Sequence, residues 1–136
     1  MSTVTPIDEE YTYEDGVIIS QTDAKGIITY ANKKFCEVSG YTVDELVGHN
    51  HNMINHPLVP KEIFIKMWQT ISEGQVWNGL IRNLRKDGKY YWVNTEILPI
   101  KDDANKITGY ISVRKSTSRK NILEIEDIYN RMLAKA

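Results

Sequence analysis

Two long β-type stretches, 76–85 and 89–100, are separated only by Lys86-Asp87-Gly88, and this arrangement limits the folds that the chain can adopt. Apolar and polar residues alternate in both, as in strands with one buried face. An Asp-Gly pair between two such runs signals a tight turn, so the strands are expected to pair antiparallel. A third stretch, 107–115, follows the turn-forming Asp102-Asp103-Ala104-Asn105. The C-terminal half therefore predicts three antiparallel strands.

Two shorter β-type runs, 17–20 and 27–30, lie near the start of the chain. They flank Thr22-Asp23-Ala24-Lys25-Gly26, in which aspartate and glycine favour a turn. These runs predict a hairpin.

Helical spacing begins after the hairpin. A first helix is predicted from Asn32, and Gly40 provides a natural stop. Thr42 has the side chain of a helix N-cap, which predicts a short second helix that ends at Gly48.

Residues 49–60 contain three histidines, three asparagines and two prolines, a composition that excludes a regular helix or a central strand and predicts a structured loop. A longer amphipathic helix then begins beside Pro60 and stops near Gly74. Its apolar residues follow three-and-four spacing: Ile63, Phe64, Met67, Trp68 and Ile71.

The order of elements, two strands, then helices, then three strands, predicts an α+β domain. We expect a five-stranded antiparallel sheet with helices packed on one face. This domain would span 17–117, after a flexible lead-in at 1–16 and before a C-terminal amphipathic helix at 118–136. The last helix carries an apolar seam that needs a covering surface, either this sheet or a partner: Ile122, Ile125, Tyr129 and Met132.

Charge and composition argue against several classes of function. The 136 residues include 17 basic and 18 acidic ones, so no overall positive field attracts nucleic acid. The basic pairs Arg114-Lys115 and Arg119-Lys120 are interpreted as a solvated linker. No apolar run reaches the roughly 20 residues that cross a bilayer, so we expect no direct membrane insertion. A single cysteine, Cys36, and the lack of a signal-peptide pattern favour a cytoplasmic protein.

Catalytic motifs are missing from the sequence. It has no Gly-x-Ser-x-Gly elbow, no Walker loop and no glycine-rich dinucleotide fingerprint after a strand. Glu96 and Asp103 are interpreted as surface charges. We therefore expect a protein that is not an enzyme.

Several segments in order resemble the signatures of PAS domains. These segments are 27–32, 35–40, 41–48, Trp77-Asn78-Gly79 and 83–88. Within that family, three further segments are most similar to the PAS domains of aerotaxis (energy-taxis) receptors of the Aer type: His51-Asn52-Met53-Ile54-Asn55-His56-Pro57, Met67-Trp68 and Tyr91-Trp92-Val93. The resemblance implies the PAS fold, bound FAD and a role in sensing redox, oxygen or energy state.

The resemblance also implies cofactor contacts for six residues: Asn83, Trp68, Trp77, His56, Asn32 and Asn52. Strand alternation places Asn83 on the same face as Trp77, Gly79 and Ile81. A buried amide needs a hydrogen-bond partner, and a flavin edge offers a donor and an acceptor. Gly79 would leave room for the ring. Alternatively, Asn83 bonds backbone at the strand end or faces solvent.

Other interpretations of these residues remain open. Any of the three tryptophans could simply be a core residue. His49, His51 and His56 raise the possibility of haem, whereas one cysteine and no compact ligand motif argue against zinc. Blue-light chemistry of the LOV type needs a reactive cysteine in the loop after the second helix, where this chain has His51.

The expected function is an FAD-binding sensor that signals to a membrane-bound or cytosolic chemotaxis transducer, with a homodimer as a further option. The alternatives are FMN, a haem-based gas sensor, or a cofactor-free PAS interaction module. Two positions depart from the Aer-type pattern, Asn55 in place of arginine and Leu58 in place of aspartate. Both changes weaken the expected hold on an anionic dinucleotide.

Overall fold

Residues 4–135 are described by a computed structural model of the chain. Residues 1–3 of the predicted lead-in and residue 136 of the predicted last helix lie outside the described residues. The strands are β1 (Ile18–Asp23), β2 (Ile28–Ala31), β3 (Trp77–Leu84), β4 (Tyr90–Lys101) and β5 (Ile107–Lys115). The α-helices are α1 (Lys33–Ser39), α2 (Val43–Leu46), α3 (Lys61–Ser72) and α4 (Arg119–Ala134). A short 3₁₀ helix (His51–Ile54) lies in the predicted loop.

The five strands form one antiparallel sheet in the order β2-β1-β5-β4-β3, which confirms the predicted α+β architecture. Gly88 turns the chain between β3 and β4 with a φ of 94°, a left-handed conformation that glycine adopts without steric cost. The register places Asn83 opposite Tyr91 and Arg114 opposite Thr95.

Capping residues set the limits of the first two helices where the sequence predicts them. The Asn32 side chain accepts the amide hydrogen of Phe35 at 3.0 Å, and Gly40 ends α1 with a φ of 80°. Thr42 and Glu45 form a reciprocal capping box on α2.

The main core lies between one face of the sheet, here called the inner face, and the helices that connect β2 to β3. Because side chains alternate along a strand, the residues of the inner face recur at every second position. Those residues include Ile18, Ala31, Ile81, Val93 and Ile97, and the helical core residues include Phe35, Val38, Leu46 and Ile71. The predicted packing of helices on one face holds for α1 to α3.

The C-terminal helix packs on the opposite, outer face. Tyr129 donates a hydrogen bond to the carbonyl of Leu80, and its ring stacks on Trp92 with centroids 6.4 Å apart. Ile122 is buried, and Ile125 and Met132 pack against the core. The predicted apolar seam is therefore covered by the domain's own sheet.

Part of the predicted flexible lead-in is tethered to the start of β4. The Ile7 amide donates to the Gly88 carbonyl at 2.9 Å, and the Tyr11 amide donates to the Tyr90 carbonyl at 2.7 Å. The Tyr90 amide in turn donates to the Glu9 carbonyl at 3.1 Å. This segment extends the sheet surface beside β4.

Candidate functional site

A cavity of about 380 Å³ lies between the inner face, the 3₁₀ helix and α3. This volume falls in the range of small-molecule sites, roughly 300–1,000 Å³. Apolar side chains from α3 and the sheet form much of its wall: Phe64, Met67, Trp68, Ile71, Ile97 and Tyr110. Polar groups from the hairpin, the loop and β5 complete it: Thr22, Lys25, Asn50, His51, Asn52, Asn55 and Ser112.

Two of the six predicted contact residues, Trp68 and Asn52, line this cavity. The Trp68 side chain is 38% exposed, and its ring meets Tyr110 edge-on with centroids 5.7 Å apart. Gly26 packs beside this indole, since a Cβ there would lie 3.4 Å from the ring. Trp68 therefore presents an aromatic face at the wall between the hairpin turn and α3.

Asn83 is buried, 4% exposed, but lies outside the cavity lining. Its backbone bridges to Asn55, a lining residue, so it stands immediately behind the wall. Burial raises the pKa of Tyr91 to about 12, although the charge of Arg114 and, to a smaller extent, the nearby Asn83 amide favour the ionised phenol. The predicted burial of Asn83 is confirmed, whereas direct contact with the cavity is not seen.

Trp77 occupies the space that the sequence interpretation assigned to a cofactor ring. A Cβ on Gly79 would come within 2.6 Å of the Trp77 indole, so this indole lies over Gly79. The glycine thus makes room for a tryptophan of its own strand. Strand alternation places both residues on one face, but it does not give the side-chain orientation that lays the indole over Gly79.

His56 and Asn32 have local structural roles away from the cavity. His56 Nδ1 accepts the Leu58 amide hydrogen at 3.1 Å, which orders the loop. Burial, with Arg82 nearby, lowers the pKa of His56 to about 4. Asn32 caps α1, accepts the Ile19 amide hydrogen and donates to the Val17 carbonyl.

A polar cluster joins three elements at the cavity wall: His51, which is half-buried and lines the cavity, and the buried Ser20 and Arg114. Arg114 NH1 donates to His51 Nε2 at 2.9 Å, and NH2 donates to Ser20 Oγ at 2.9 Å. Ser20 Oγ lies 3.0 Å from the same His51 nitrogen. Phe35 covers the cluster, with its ring centroid 4.4 Å from the guanidinium carbon and 5.7 Å from the imidazole centroid.

The electrostatics of this cluster fix the state of His51. Arginine only donates hydrogen bonds, so Nε2 must be the accepting nitrogen of a neutral imidazole. Burial, followed by the charge of Arg114, lowers the pKa of His51 to about 3. Burial also lowers the pKa of Arg114 to about 10, which leaves it a cation at neutral pH.

Three buried polar atoms on the inner face have no hydrogen-bond partner among the described protein atoms. They are Tyr91 Oη, Thr95 Oγ1 and Arg114 Nε. A buried polar group without a partner costs about 1–3 kcal/mol, so such groups commonly point to a ligand, water or ion. The inner face therefore has hydrogen-bonding capacity beyond what its own fold uses.

The interpretation of Arg114 as part of a solvated linker is wrong, because this residue is 2% exposed. The available signal was the period of two along β5, which places Tyr110, Ser112 and Arg114 on one face. The next residue, Lys115, is exposed, and together the two residues look like a solvated basic pair in the sequence.

The loop histidines do not converge. Across residues 4–135, no group of three His, Cys, Asp or Glu side chains could hold a metal ion. His49 is exposed, His51 belongs to the Arg114 cluster and His56 orders the loop.

Residues 28–114 match the PAS fold family. The chain belongs to this family. Its PAS domain is 40% identical over 121 residues to the aerotaxis receptor of Escherichia coli strain K12, across 89% of this chain and 24% of the receptor. It is 35% identical over 108 residues to the nitrogen fixation regulatory protein of Klebsiella pneumoniae, across 79% and 22%. The chain thus spans about a quarter of these relatives, and the predicted resemblance to aerotaxis-receptor PAS domains is confirmed.

Solved structures agree with the fold. The light-state LOV domain of the blue-light photoreceptor Aureochrome1 superposes with a TM-score of 0.72 at 22% identity, over 86% of this PAS domain's chain and 91% of the other. A PAS domain from Colwellia psychrerythraea gives a TM-score of 0.68 at 26% identity, over 76% and 87%. The architecture is that of a PAS domain.

Proposed function

We propose that this PAS domain binds a flavin, FAD, in the cavity and passes its redox state to a signalling partner. The observation that carries the proposal is a cavity with aromatic and aliphatic walls, polar groups beside them and a buried cation behind one wall. Similarity to an aerotaxis receptor supports a flavin and a redox signal. When bound, the flavin would supply reversible electron transfer.

The residues present fit such a group. A flavin ring is flat and apolar on its faces and polar along one edge, and the cavity offers the same division. Met67 and Ile97 can pack against a ring face, while Asn52 and Asn55 can exchange hydrogen bonds with a ring edge.

The rest of an FAD molecule would extend from the cavity toward solvent. Lys25 is a lining cation suited to a phosphate, and Trp68 offers a partly exposed ring for stacking. The aerotaxis-type arginine and aspartate are replaced by Asn55 and Leu58, so Lys25 would bear more of the phosphate attraction. FMN, which has a single phosphate, would use the same groups.

The other predicted contacts remain part of the proposal in modified form. Asn83 would act through Asn55 or by a rotamer that reaches past it. Trp77 would contact the ring only by turning away from Gly79. Asn32 and His56 would hold the surrounding backbone rather than the ligand.

The output would leave through α4 or the sheet toward a chemotaxis-type transducer, or toward a second copy in a homodimer. Leu123 and Ile128 are exposed on α4 and offer apolar contacts. Within residues 4–135 no helix is long and apolar enough to cross a membrane. We propose that the protein works as a cytoplasmic sensor without catalytic activity.

The test is the visible spectrum of protein freshly purified from flavin-replete cells, followed by mass spectrometry of the group released by mild denaturation. We expect flavin absorption and released FAD. Trp68→Ala should lower FAD affinity about tenfold, the equivalent of one lost stacking contact. Ile65→Ala, which changes an exposed residue of the same helix, should not.

A Soret band would instead indicate haem. A colourless protein that takes up neither FAD nor FMN would favour the cofactor-free interaction module and overturn the proposal.

A further inference from the structure

We propose that Arg114 is a fixed positive charge that makes the cavity bind a reduced, negatively charged flavin more tightly than the oxidised, neutral one. The inference rests on the proposed flavin function and deepens it. It assigns the residue that sets the redox preference of the site.

Arg114 is a buried cation whose charge is not neutralised. The residue is 2% exposed, and none of the ion pairs formed within residues 4–135 involves it. Its hydrogen-bond partners, Ser20 and His51, are both neutral. Burying a charge is costly unless an opposite charge compensates it, so this interior favours an anion nearby.

Within the described part of the chain, the groups that face Arg114 come from five elements, and none of them carries a negative charge at neutral pH. His51 lies on the 3₁₀ helix, Ser20 on β1 and Phe35 on α1. Tyr13 of the N-terminal segment and Tyr91 of β4 are the other titratable neighbours. Burial raises the pKa of both phenols, which keeps them protonated.

The geometry directs this charge toward the cavity. The His51 imidazole lines the cavity, and its Nε2 accepts a hydrogen bond from Arg114. The guanidinium is therefore separated from the cavity by this imidazole ring. Ser112, the preceding inner-face residue of β5, also lines the cavity. The unpartnered Nε of Arg114 adds a free donor to the same region.

The chemistry needs a charge at this position. A flavin ring that takes two electrons from an external reductant and one proton from solvent acquires one negative charge. A second proton would remove that charge. A nearby fixed cation favours the singly protonated anion and disfavours uptake of the second proton.

The wild-type protein provides the first test, without any substitution. The midpoint potential of bound flavin is measured against pH, beside free FAD. Each proton taken up by a two-electron couple contributes a slope of about 30 mV per pH unit. In the acidic range where free FAD takes up two protons and shows about 59 mV, bound FAD should retain about 30 mV. A bound flavin with the slope of free FAD would overturn the inference.

A matched pair of variants provides the second test. Arg114→Gln removes the buried charge, whereas Lys115→Gln removes an exposed charge from the next residue. Arg114→Gln should weaken the preference for reduced over oxidised flavin at least tenfold, which lowers the midpoint potential by about 30 mV or more. Lys115→Gln should leave the potential unchanged. An equal potential in Arg114→Gln and wild type would contradict the role of Arg114.

The two tests separate the failure of this inference from failure of the proposed function. Flavin that binds but shows the free-FAD slope leaves the flavin function standing and removes Arg114 from it. Protein that binds no flavin overturns both. If Arg114→Gln does not fold, the wild-type slope decides alone.

Discussion

The Glu126 carboxylate on α4 lies 2.6 Å from the guanidinium of Arg82 on β3, on the outer face of the sheet. The Arg82 guanidinium also lies over the rings of Tyr90 and Trp92, at 4.8 and 4.7 Å from their centroids. Arg82 and the neighbouring Asn83 point to opposite faces of one strand. Two adjacent residues of β3 therefore face the two sides of the sheet: Asn83 faces the cavity side, and Arg82 faces α4.

Removing this ion pair should loosen α4. Glu126→Gln leaves the buried Arg82 without its anionic partner, which we expect to lower the free energy of unfolding by about 1–2 kcal/mol. The exposed Glu124, changed to Gln, is the control on the same helix. Urea unfolding measures both. Equal stability of the two variants would show that the pair does not hold α4 on the sheet.

A methyl group on residue 79 should displace Trp77. Gly79→Ala places a Cβ 2.6 Å from the Trp77 indole, so the ring must move. We expect a loss of about 1–3 kcal/mol in unfolding free energy. In a Trp77→Leu background the same change should cost much less, which a double-mutant cycle measures. Additive effects would contradict the packing of Trp77 on Gly79.

Stability should fall in mild acid because of two histidines. The pKa is about 3 for His51 and about 4 for His56 in the folded protein, against 6.5 for an unperturbed histidine. The unfolded chain therefore binds more protons below pH 6.5, and folding stability is lost as pH falls toward these values. Each histidine changes the free energy of unfolding by up to about 1.4 kcal/mol per pH unit.

This pH dependence can be assigned by substitution. Unfolding free energies between pH 4.5 and 6.5 should depend less on pH in His51→Gln and His56→Gln, whereas a change at the exposed His49 should leave the slope intact. A wild-type stability that stays flat across this window would contradict the neutral state of both rings.

Asn83 and Asn78 lie on opposite faces of β3 and provide a matched test. Asn78 is exposed and bonds Asn94 and the Thr95 carbonyl. Asn83→Ala should weaken flavin binding or uncouple flavin redox state from output, because it removes a buried amide beside Tyr91, directly behind the wall at Asn55. Asn78→Ala should do neither. Equal FAD affinity and signalling in both variants would remove Asn83 from the mechanism.

Most of this fold can be predicted from the sequence because turns, helix caps and helix stops depend on residues that are close together in the chain. The Asp87-Gly88 turn, the Thr42 cap and the Gly40 stop each depend on a few neighbouring residues, and the structure has them where expected. The five-stranded antiparallel sheet follows from strands separated by such turns.

The site depends on contacts between distant residues, which is why less of it was predicted. Ser20, His51 and Arg114 meet only because β1 pairs with β5 and the loop returns to their surface. The side of the sheet taken by α4 also depends on tertiary packing, here by Tyr129 on Trp92.

Flavin binding in this cavity can be followed by NMR of the three tryptophan indole N–H signals during FAD titration. Trp68 lines the cavity, whereas Trp92 lies under Tyr129 on the outer face. We expect saturable shifts of the Trp68 signal, with the Trp92 signal nearly unchanged. An unchanged Trp68 signal at saturating FAD, or a shift confined to Trp92, would contradict the account.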